Sequence, residues 1–272
     1  VCKVPRWDLA KFQGASVRIG SEMKSVGEVM AIGRTFAEVI QKALRMLDIG
    51  VQGLDPDAFD FDDLRDQLAN PTPLRVFAIA RALRQGFSVD QVHALTHIDR
   101  WFLYSIESIV RLHGELVRSR WPMDAALLRQ AKLVGFSDLC IARLAGAEQA
   151  AVRDARRNAG IVRRLVQIDT LAAEFPADTN YLYTTFHAIA DDVAPSRRRK
   201  ILVLGSGAYR IGSSVEFDWC CVNAVQAAAA LGVETIMLNF NPETVSTDYD
   251  ICDRLVFDEI SLETVLDLVE HE

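Results

Sequence analysis

Three stretches of this 272-residue chain set a carboxylate among small residues: MKSVGEV with Glu28, SSVEFD with Glu216, and NFNPETVSTDYD with Glu243. Taken singly, each is a polar residue in a loop or at a helix start. A fourth stretch, GSGAYRIG at 205–212, follows an apolar run and has the makings of an anion-binding turn. Glycines there let the backbone approach a ligand, and amides at a helix start attract negative charge. It departs from the dinucleotide fingerprint at Arg210, where the third glycine would stand. Asn239 and Asn241 occupy the place of the acid that would hold a ribose. It also lacks the Gly-Lys-Ser/Thr of a Walker loop. The reading is a tight strand-to-helix turn bordering a ligand path.

Other chemistry-bearing residues read more plainly. His93 and His97 have a zinc-compatible helical spacing, but no Glu follows the first histidine and no third ligand is evident. They read as two partly exposed helix histidines. The cysteines (Cys2, Cys140, Cys220, Cys221, Cys252) are odd in number and spaced for neither zinc nor a disulfide framework, which fits a reducing compartment. The vicinal pair reads as two small apolar residues on a buried helix. GFSDLCIARLAGAEQAAVRDARRNAGIVRR has the helix, turn, helix form of a DNA-binding unit, with a basic end of Arg153, Arg156, Arg157, Arg163 and Arg164. Such arginine runs are more often solvated faces or interface contacts.

Composition bounds the elements that must hold these groups. Half the residues are apolar, a quarter charged, and mean hydropathy is +0.11, all ordinary for a globular chain with a sizeable core. No apolar run reaches the roughly eighteen residues of a membrane span, and no repeat appears. The opening VCKVPRWDLA has no initiator Met and no leader pattern, and reads as the edge of a longer protein. From Lys200 to Glu272 thirteen acids face three bases, a formal −10. The whole chain carries −7, so the first 199 residues carry +3. The acidic segment repels a phosphate backbone, which leaves only the first two-thirds for any nucleic-acid role.

Periodicity divides the chain in three. Residues 1–50 predict the end of a strand, a Gly-punctuated loop and one helix. That helix opens on Thr35 with Glu38 as capping-box partner and stops near Gly50. From 51 to 195 come short helices over 60–70, 73–85, 88 onward, 99–119, 124–134, 137–145 and 147–159, a compact all-α array. Extended patterns follow in IDTLAAEF and NYLYTTF. From 196 onward KILVL, TIMLN and 254–257 read as buried strands alternating with helices over 216–231 and 262–270. That order predicts a parallel sheet.

In this order MKSVGEVMAIGR, IDRWFL, IDTLAAEF, GSSVEFDWCCV and NPETVSTDYD resemble the large synthetase component of carbamoyl phosphate synthetase, over nearly the whole chain. The loop GSGAYRIGSS is nearer the multidomain or eukaryotic type, and RSRWPM at 118–123 matches no motif of that family. The resemblance implies a mainly α-helical middle domain plus a C-terminal α/β three-layer, Rossmann-like pre-ATP-grasp domain. Residues 1–50 would be the tail of the first ATP-grasp (carboxyphosphate) domain. Residues 51–195 would be the helical oligomerisation domain, and 196–272 the pre-ATP-grasp domain of the second (carbamoyl phosphate) half.

The activity implied is an ATP-dependent ligase reaction. Bicarbonate is phosphorylated, ammonia from a glutaminase subunit or domain gives carbamate, and carbamate crosses a tunnel to a second phosphorylation. Glu28, Glu216 and Glu243, with Met23, would line that tunnel. ATP, Mg²⁺ (or Mn²⁺) and K⁺ would serve the full-length enzyme and none would bind in this chain, which would be inactive alone. Partners would be the glutaminase, the rest of the synthetase and a second copy through the helical domain. No nucleic acid or membrane is expected, and the compartment would be cytoplasm or mitochondrion. The competing readings are a stand-alone helical self-association module and a DNA-binding module.

Overall fold

A computed structural model describes residues 1–169, 174–175 and 179–272. The chain opens with β1 (Cys2–Arg6), a long loop, and β2 (Gly27–Ala31), paired antiparallel with Lys3 opposite Met30 and Pro5 opposite Glu28. The second strand corrects the expectation of a plain loop. Its five residues GEVMA give too short an alternation to stand out, and only pairing with β1 makes it a strand.

Helix α1 (Phe36–Met46) starts at Thr35, whose hydroxyl accepts from Glu38 N at 3.2 Å. The reciprocal half of the capping box is replaced. The Glu38 carboxylate accepts instead from Arg34 N at 2.8 Å and from Thr185 Oγ1 at 2.7 Å. At the far end Asp48, at φ 52°, takes the left-handed position.

Seven helices follow: α2 (Leu64–Ala69), α3 (Arg75–Arg84), α4 (Val89–Thr96), α5 (Arg100–Arg118), α6 (Ala125–Leu133), α7 (Asp138–Ala145) and α8 (Gln149–Asn158). Most begin where sequence chemistry places a cap: Asp63, Ser88 with a full capping box to Gln91, Asp99, Asp124 and Ser137. The first is shorter than the 60–70 pattern predicts, starting only after Asp63 accepts from Asp66 N. One apolar core runs from Val29 and α1 through these helices to Ile161, with Phe240 inserted from the C-terminal segment. The helix of the first fifty residues therefore finds its partner surface in the helical array.

The remaining elements build one sheet. They are β3 (Arg164–Gln167), β4 (Tyr181–Thr185), β5 (Lys200–Leu204), α9 (Val215–Ala230), β6 (Glu234–Asn239), β7 (Arg254–Phe257) and α10 (Leu262–His271). Strand order is β3-β4-β7-β6-β5, with β3 antiparallel to β4 and the others parallel. The sheet thus recruits two strands from before residue 196. The pattern over NYLYTTF is β4. Residues 170–173, the middle half of IDTLAAEF, lie outside the described residues, as do Pro176 and Asp178.

Two expectations of burial are corrected. β5 is an edge strand with Ile201 and Leu204 exposed, and α9 buries only Asp218, Val222 and Val225. Cys220 is exposed and Cys221 half-buried, so the vicinal pair does not sit on a buried helix. The apolar composition of α9 faces outward because no described element covers that side.

Helices and sheet are locked by buried charge. Lys132 Nζ donates to Asp138 Oδ1 at 2.8 Å and to Glu263 Oε1 at 2.7 Å; all three side chains are at most 1% exposed. Arg163 Nη2 reaches the same Glu263 oxygen at 2.6 Å, and Asp138 N donates to its other oxygen at 2.6 Å. Arg156 Nε donates to Asp138 at 2.8 Å, and its Nη2 donates to both carboxylate oxygens of Asp267 at 2.8 Å. Nearby, Lys42 holds Asp258 at 3.1 Å and Thr184 O at 2.6 Å, while Arg45 holds Glu259 at 2.5 Å. The Phe186 ring lies 5.0 to 5.4 Å from Lys132, Arg156 and Arg163.

Burial by itself would raise the Glu263 carboxyl, but Lys132, Arg163 and Arg156 overcome it and hold the group well below the usual carboxylate range. Removing one member of such a cluster leaves an uncompensated buried charge. Glu263→Ala is therefore expected to cost about 3–5 kcal/mol in urea unfolding. A depressed carboxylate binds fewer protons folded than unfolded below its ordinary value. Stability should thus be flat near neutrality and fall progressively as pH drops below about 4.5. Urea midpoints measured from pH 7 to pH 3 test the sign.

Candidate functional site

Three segments far apart in sequence converge beside the hairpin: the β1–β2 strands, the 205–213 loop and the 239–247 loop. Alternation along β1 turns Lys3 to the face that carries Glu28 diagonally across the pair. Lys3 Nζ lies 2.9 Å from Glu28 and 3.2 Å from Glu243. Two carboxylates 215 residues apart are thus bridged by one ammonium. Glu28 is half-buried; Lys3 and Glu243 are exposed. The Glu243 carboxyl lies below its ordinary value, first through hydrogen bonding with Glu28 and then through Lys3. Lys3 is raised in turn by its hydrogen bonds to Glu28 and Glu243.

The loops are built to hold this seam. In the 239–247 loop Asn241 Oδ1 accepts from Glu243 N at 3.0 Å, and Thr247 Oγ1 donates to Asn241 O and Thr244 O at 3.0 and 2.9 Å. Tyr209 Oη and Thr244 Oγ1, 2.6 Å apart, tie it to the glycine loop. Asp218, 1% exposed, accepts from Ser246 N at 3.1 Å and from Ser246 Oγ at 2.5 Å. That pins the first turn of α9 to the same loop. Asn239 is an organiser of the turn: its Oδ1 accepts from Gly207 N at 3.1 Å and its Nδ2 donates to Ser246 at 2.9 Å. A Cβ on Gly205 would lie 2.3 Å from Asn239 Cγ, so only glycine fits there.

The first fifty residues clasp the glycine loop directly. Asp8 Oδ2 accepts from Ile211 N at 3.0 Å, Lys11 Nζ donates to Ile211 O at 2.9 Å, and Arg210 pairs with Asp48. A Cβ on Gly27 would meet Tyr209 O at 2.5 Å, which shows how closely the hairpin lies against the loop. A cavity of about 400 Å³ runs along this seam. Its lining includes Arg6, Arg45, Asp48, Arg210, Glu259 and residues 205–208.

Two comparisons bear on what this assembly is. Residues 28–160 match the model of the carbamoyl-phosphate synthetase large chain oligomerisation domain, and residues 197–272 match that of the carbamoyl phosphate synthase preATP-grasp domain. The chain belongs to the carbamoyl phosphate synthetase large-chain family. It is 50% identical over 275 residues to the mitochondrial arginine-specific large chain of Schizosaccharomyces pombe. It is 52% identical over 280 residues to the arginine-specific large chain of Eremothecium gossypii, and 50% over 274 residues to the multifunctional protein pyr1-3 of Dictyostelium discoideum. All of this chain aligns in each case, but it spans only 23%, 25% and 12% of those proteins.

Of the residues singled out from the family motifs, Glu28 and Glu243 are brought together. Glu216 is exposed on the first turn of α9, where its Oε1 accepts from Ser214 N at 3.3 Å. Met23, 91% exposed, sits in the loop before β2. Sequence reasoning missed Lys3, whose only signal was the alternation of CKVPR, and Asp218, the buried acid two residues after Glu216. It also missed Arg6 and Arg45, which carry no motif at all.

The five arginines at the basic end of the helix-turn-helix segment are spent within the chain. Arg153 and Arg157 pair with Glu270, Arg156 with Asp138 and Asp267, Arg163 with Glu263, and Arg164 with Asp191. His93 faces the Ile98 carbonyl at 2.7 Å, and His97 caps α4 at φ 57°.

Without the shared lysine, two neighbouring carboxylates repel and the less favourable one holds its proton to higher pH. Lys3→Met should therefore move the Glu243 titration upward. The carboxyl carbon followed by NMR against pH reads this directly, and an unmoved titration would mean that Lys3 does not govern the pair.

Proposed function

We propose that this chain forms the junction between the two halves of a glutamine-hydrolysing carbamoyl phosphate synthetase. The whole enzyme is an ATP-dependent ligase making carbamoyl phosphate from bicarbonate, glutamine-derived ammonia and two ATP. In this reading residues 1–50 close the first ATP-grasp half, 51–195 form the helical oligomerisation domain, and 196–272 form the Rossmann-like pre-ATP-grasp domain of the second half. Its tasks are to wall the carbamate path with Glu28, Glu216, Glu243 and Met23, and to bring copies together through the helices. The observation that carries the reading is the meeting of Glu28 and Glu243 on Lys3 at the seam between the first and last segments.

The physics of such a passage follows from charge. A carboxylate facing a carbamate anion across a dry constriction opposes it, so the passage favours neutral carbamic acid or a protonated wall. Lys3 removes one negative charge from the Glu28–Glu243 pair and so lowers that barrier. Excluding water protects an intermediate that decomposes in it. The outward Phe217, Trp219, Ile201 and Leu204 support a further body of the enzyme packing on α9 and β5.

The residues here do not suit ATP or its metal ions. The carboxylates that approach each other are bridged by an ammonium, and the Gly207 amide is committed to Asn239. Nucleotide, Mg²⁺ or Mn²⁺ and K⁺ are assigned to the rest of the synthetase, and ammonia supply to its glutaminase partner or domain. Among the described residues no helix is long and apolar enough to cross a membrane. Relatives named as mitochondrial support that compartment as readily as the cytoplasm.

In the full-length enzyme, Glu216→Lys should leave bicarbonate-dependent ATP hydrolysis and glutamine hydrolysis within about twofold of wild type while carbamoyl phosphate formation is lost. Parallel assays of the three reactions decide the matter. Equal loss of all three would point to folding and sink the path.

A further inference from the structure

Asp8, just after β1, is buried, and its carboxylate reaches across the seam. Its Oδ2 accepts from Ile211 N at 3.0 Å. Lys11 Nζ, 3.2 Å from the same oxygen, donates to Ile211 O at 2.9 Å. One residue of the glycine loop is thus held by both its N–H and its C=O, from residues 203 and 200 positions away. The hold closes into a ring. Arg6 Nε donates to Asp8 Oδ1 at 3.3 Å, and Arg6 Nη1 donates to Asp48 O at 3.3 Å. Asp48 pairs in turn with Arg210, the neighbour of Ile211. Burial alone would raise the Asp8 carboxyl, but the Ile211 amide, Lys11 and Arg6 outweigh it and hold the group below its ordinary value. A charged acceptor grips an N–H more strongly than a neutral one.

What the ring holds is a turn closed on itself. Arg210 N donates to Ser213 O and Ser213 N to Arg210 O, both at 3.0 Å, so the turn moves as a block. Helix α9 begins two residues later, with Glu216 in its first turn. On the other side Tyr209 is tied to Thr244, the residue after Glu243. Displacing Ile211 therefore moves the supports of Glu216 and of Glu243 together. The buried Lys132–Glu263 cluster that locks helices to sheet shares none of these residues. Lys11, Asp48, Arg210 and Ile211 are all exposed, so the ring can open while the fold persists. From these contacts we propose that Asp8 is a positioning residue for the carbamate passage: through the Ile211 peptide it keeps the glycine loop closed on the first segment, and so keeps water out of the seam. This role rests on the seam being that passage. An opened loop would let carbamate decompose in water after the first ATP has been spent.

The test uses the full-length enzyme with Asp8→Ala, Lys11→Met and Lys11→Arg. Hydrogen exchange of peptides covering 205–215, read by mass spectrometry, should show the Ile211 amide exchanging at least tenfold faster in Asp8→Ala. The ATP hydrolysed per carbamoyl phosphate formed should rise at least threefold in Asp8→Ala and at least twofold in Lys11→Met. Lys11→Arg keeps a donor and should hold the wild-type ratio. A merely structural role would lower ATP hydrolysis and carbamoyl phosphate formation in step and leave that ratio unmoved, which would overturn the proposal. Unchanged exchange in a folded Asp8→Ala enzyme would overturn it too. Where Asp8→Ala does not fold, the Lys11→Met ratio alone decides. A released loop with a wild-type ratio sinks this role and leaves the passage standing. Equal loss of the three activities in Glu216→Lys would sink both.

Discussion

The structure depends on charge that has been taken out of water. Lys42, Arg45, Lys132, Arg156 and Arg163 face Asp138, Asp258, Glu259, Glu263 and Asp267 in the space between the helical array and the sheet. Each partner is costly to bury alone, so the arrangement is tolerable only when complete. That gives it a directional consequence which apolar packing lacks. Helices and sheet have one mutual register in which every charge is met, and a slide of a few ångströms strands several at once. Phe186 adds a π-face on which three of the cations rest.

This lock explains the charge asymmetry of the chain. The acidic C-terminal segment and the basic first two-thirds are complementary surfaces of one fold. Acids of α10 (Glu263, Asp267, Glu270) take up arginines of α8 and of the segment after it. The basic run that reads as a nucleic-acid end is consumed in this contact, except Arg164, which pairs with Asp191. With the sheet so fixed against the helices, the hairpin packed on α1 is held against the glycine loop and the 239–247 loop. Lys3 can then reach Glu28 and Glu243 together. The precision of the seam is inherited from the lock behind it.

The helical content was legible because its signals are local. Caps at Thr35, Ser88, Asp99, Asp124 and Ser137 act within one turn, and apolar spacing within a few turns. Strands β2 and β3 were hidden for a physical reason. GEVMA is short and begins at a glycine, and RLVQ emerges from an arginine run, so neither carries an alternation that distinguishes it without its partner. Glu38 shows the limit of even a strong local signal. Its spacing from Thr35 writes a capping box, yet a buried threonine 147 residues away takes its carboxylate.

The amino-acid order determined by itself the helices and most of their caps, the parallel strands of the last segment, and motifs specific enough to name a family. Those rest on hydrogen bonds and periodicities spanning a handful of residues, or on identity of sequence. Tertiary structure alone decided which charges are buried and whom they meet. It also decided that α9 and β5 present apolar faces outward, and that one lysine serves two remote carboxylates. Such pairings join residues tens to hundreds of positions apart. Their energies depend on distance and on exclusion of water, neither of which exists before the chain is folded.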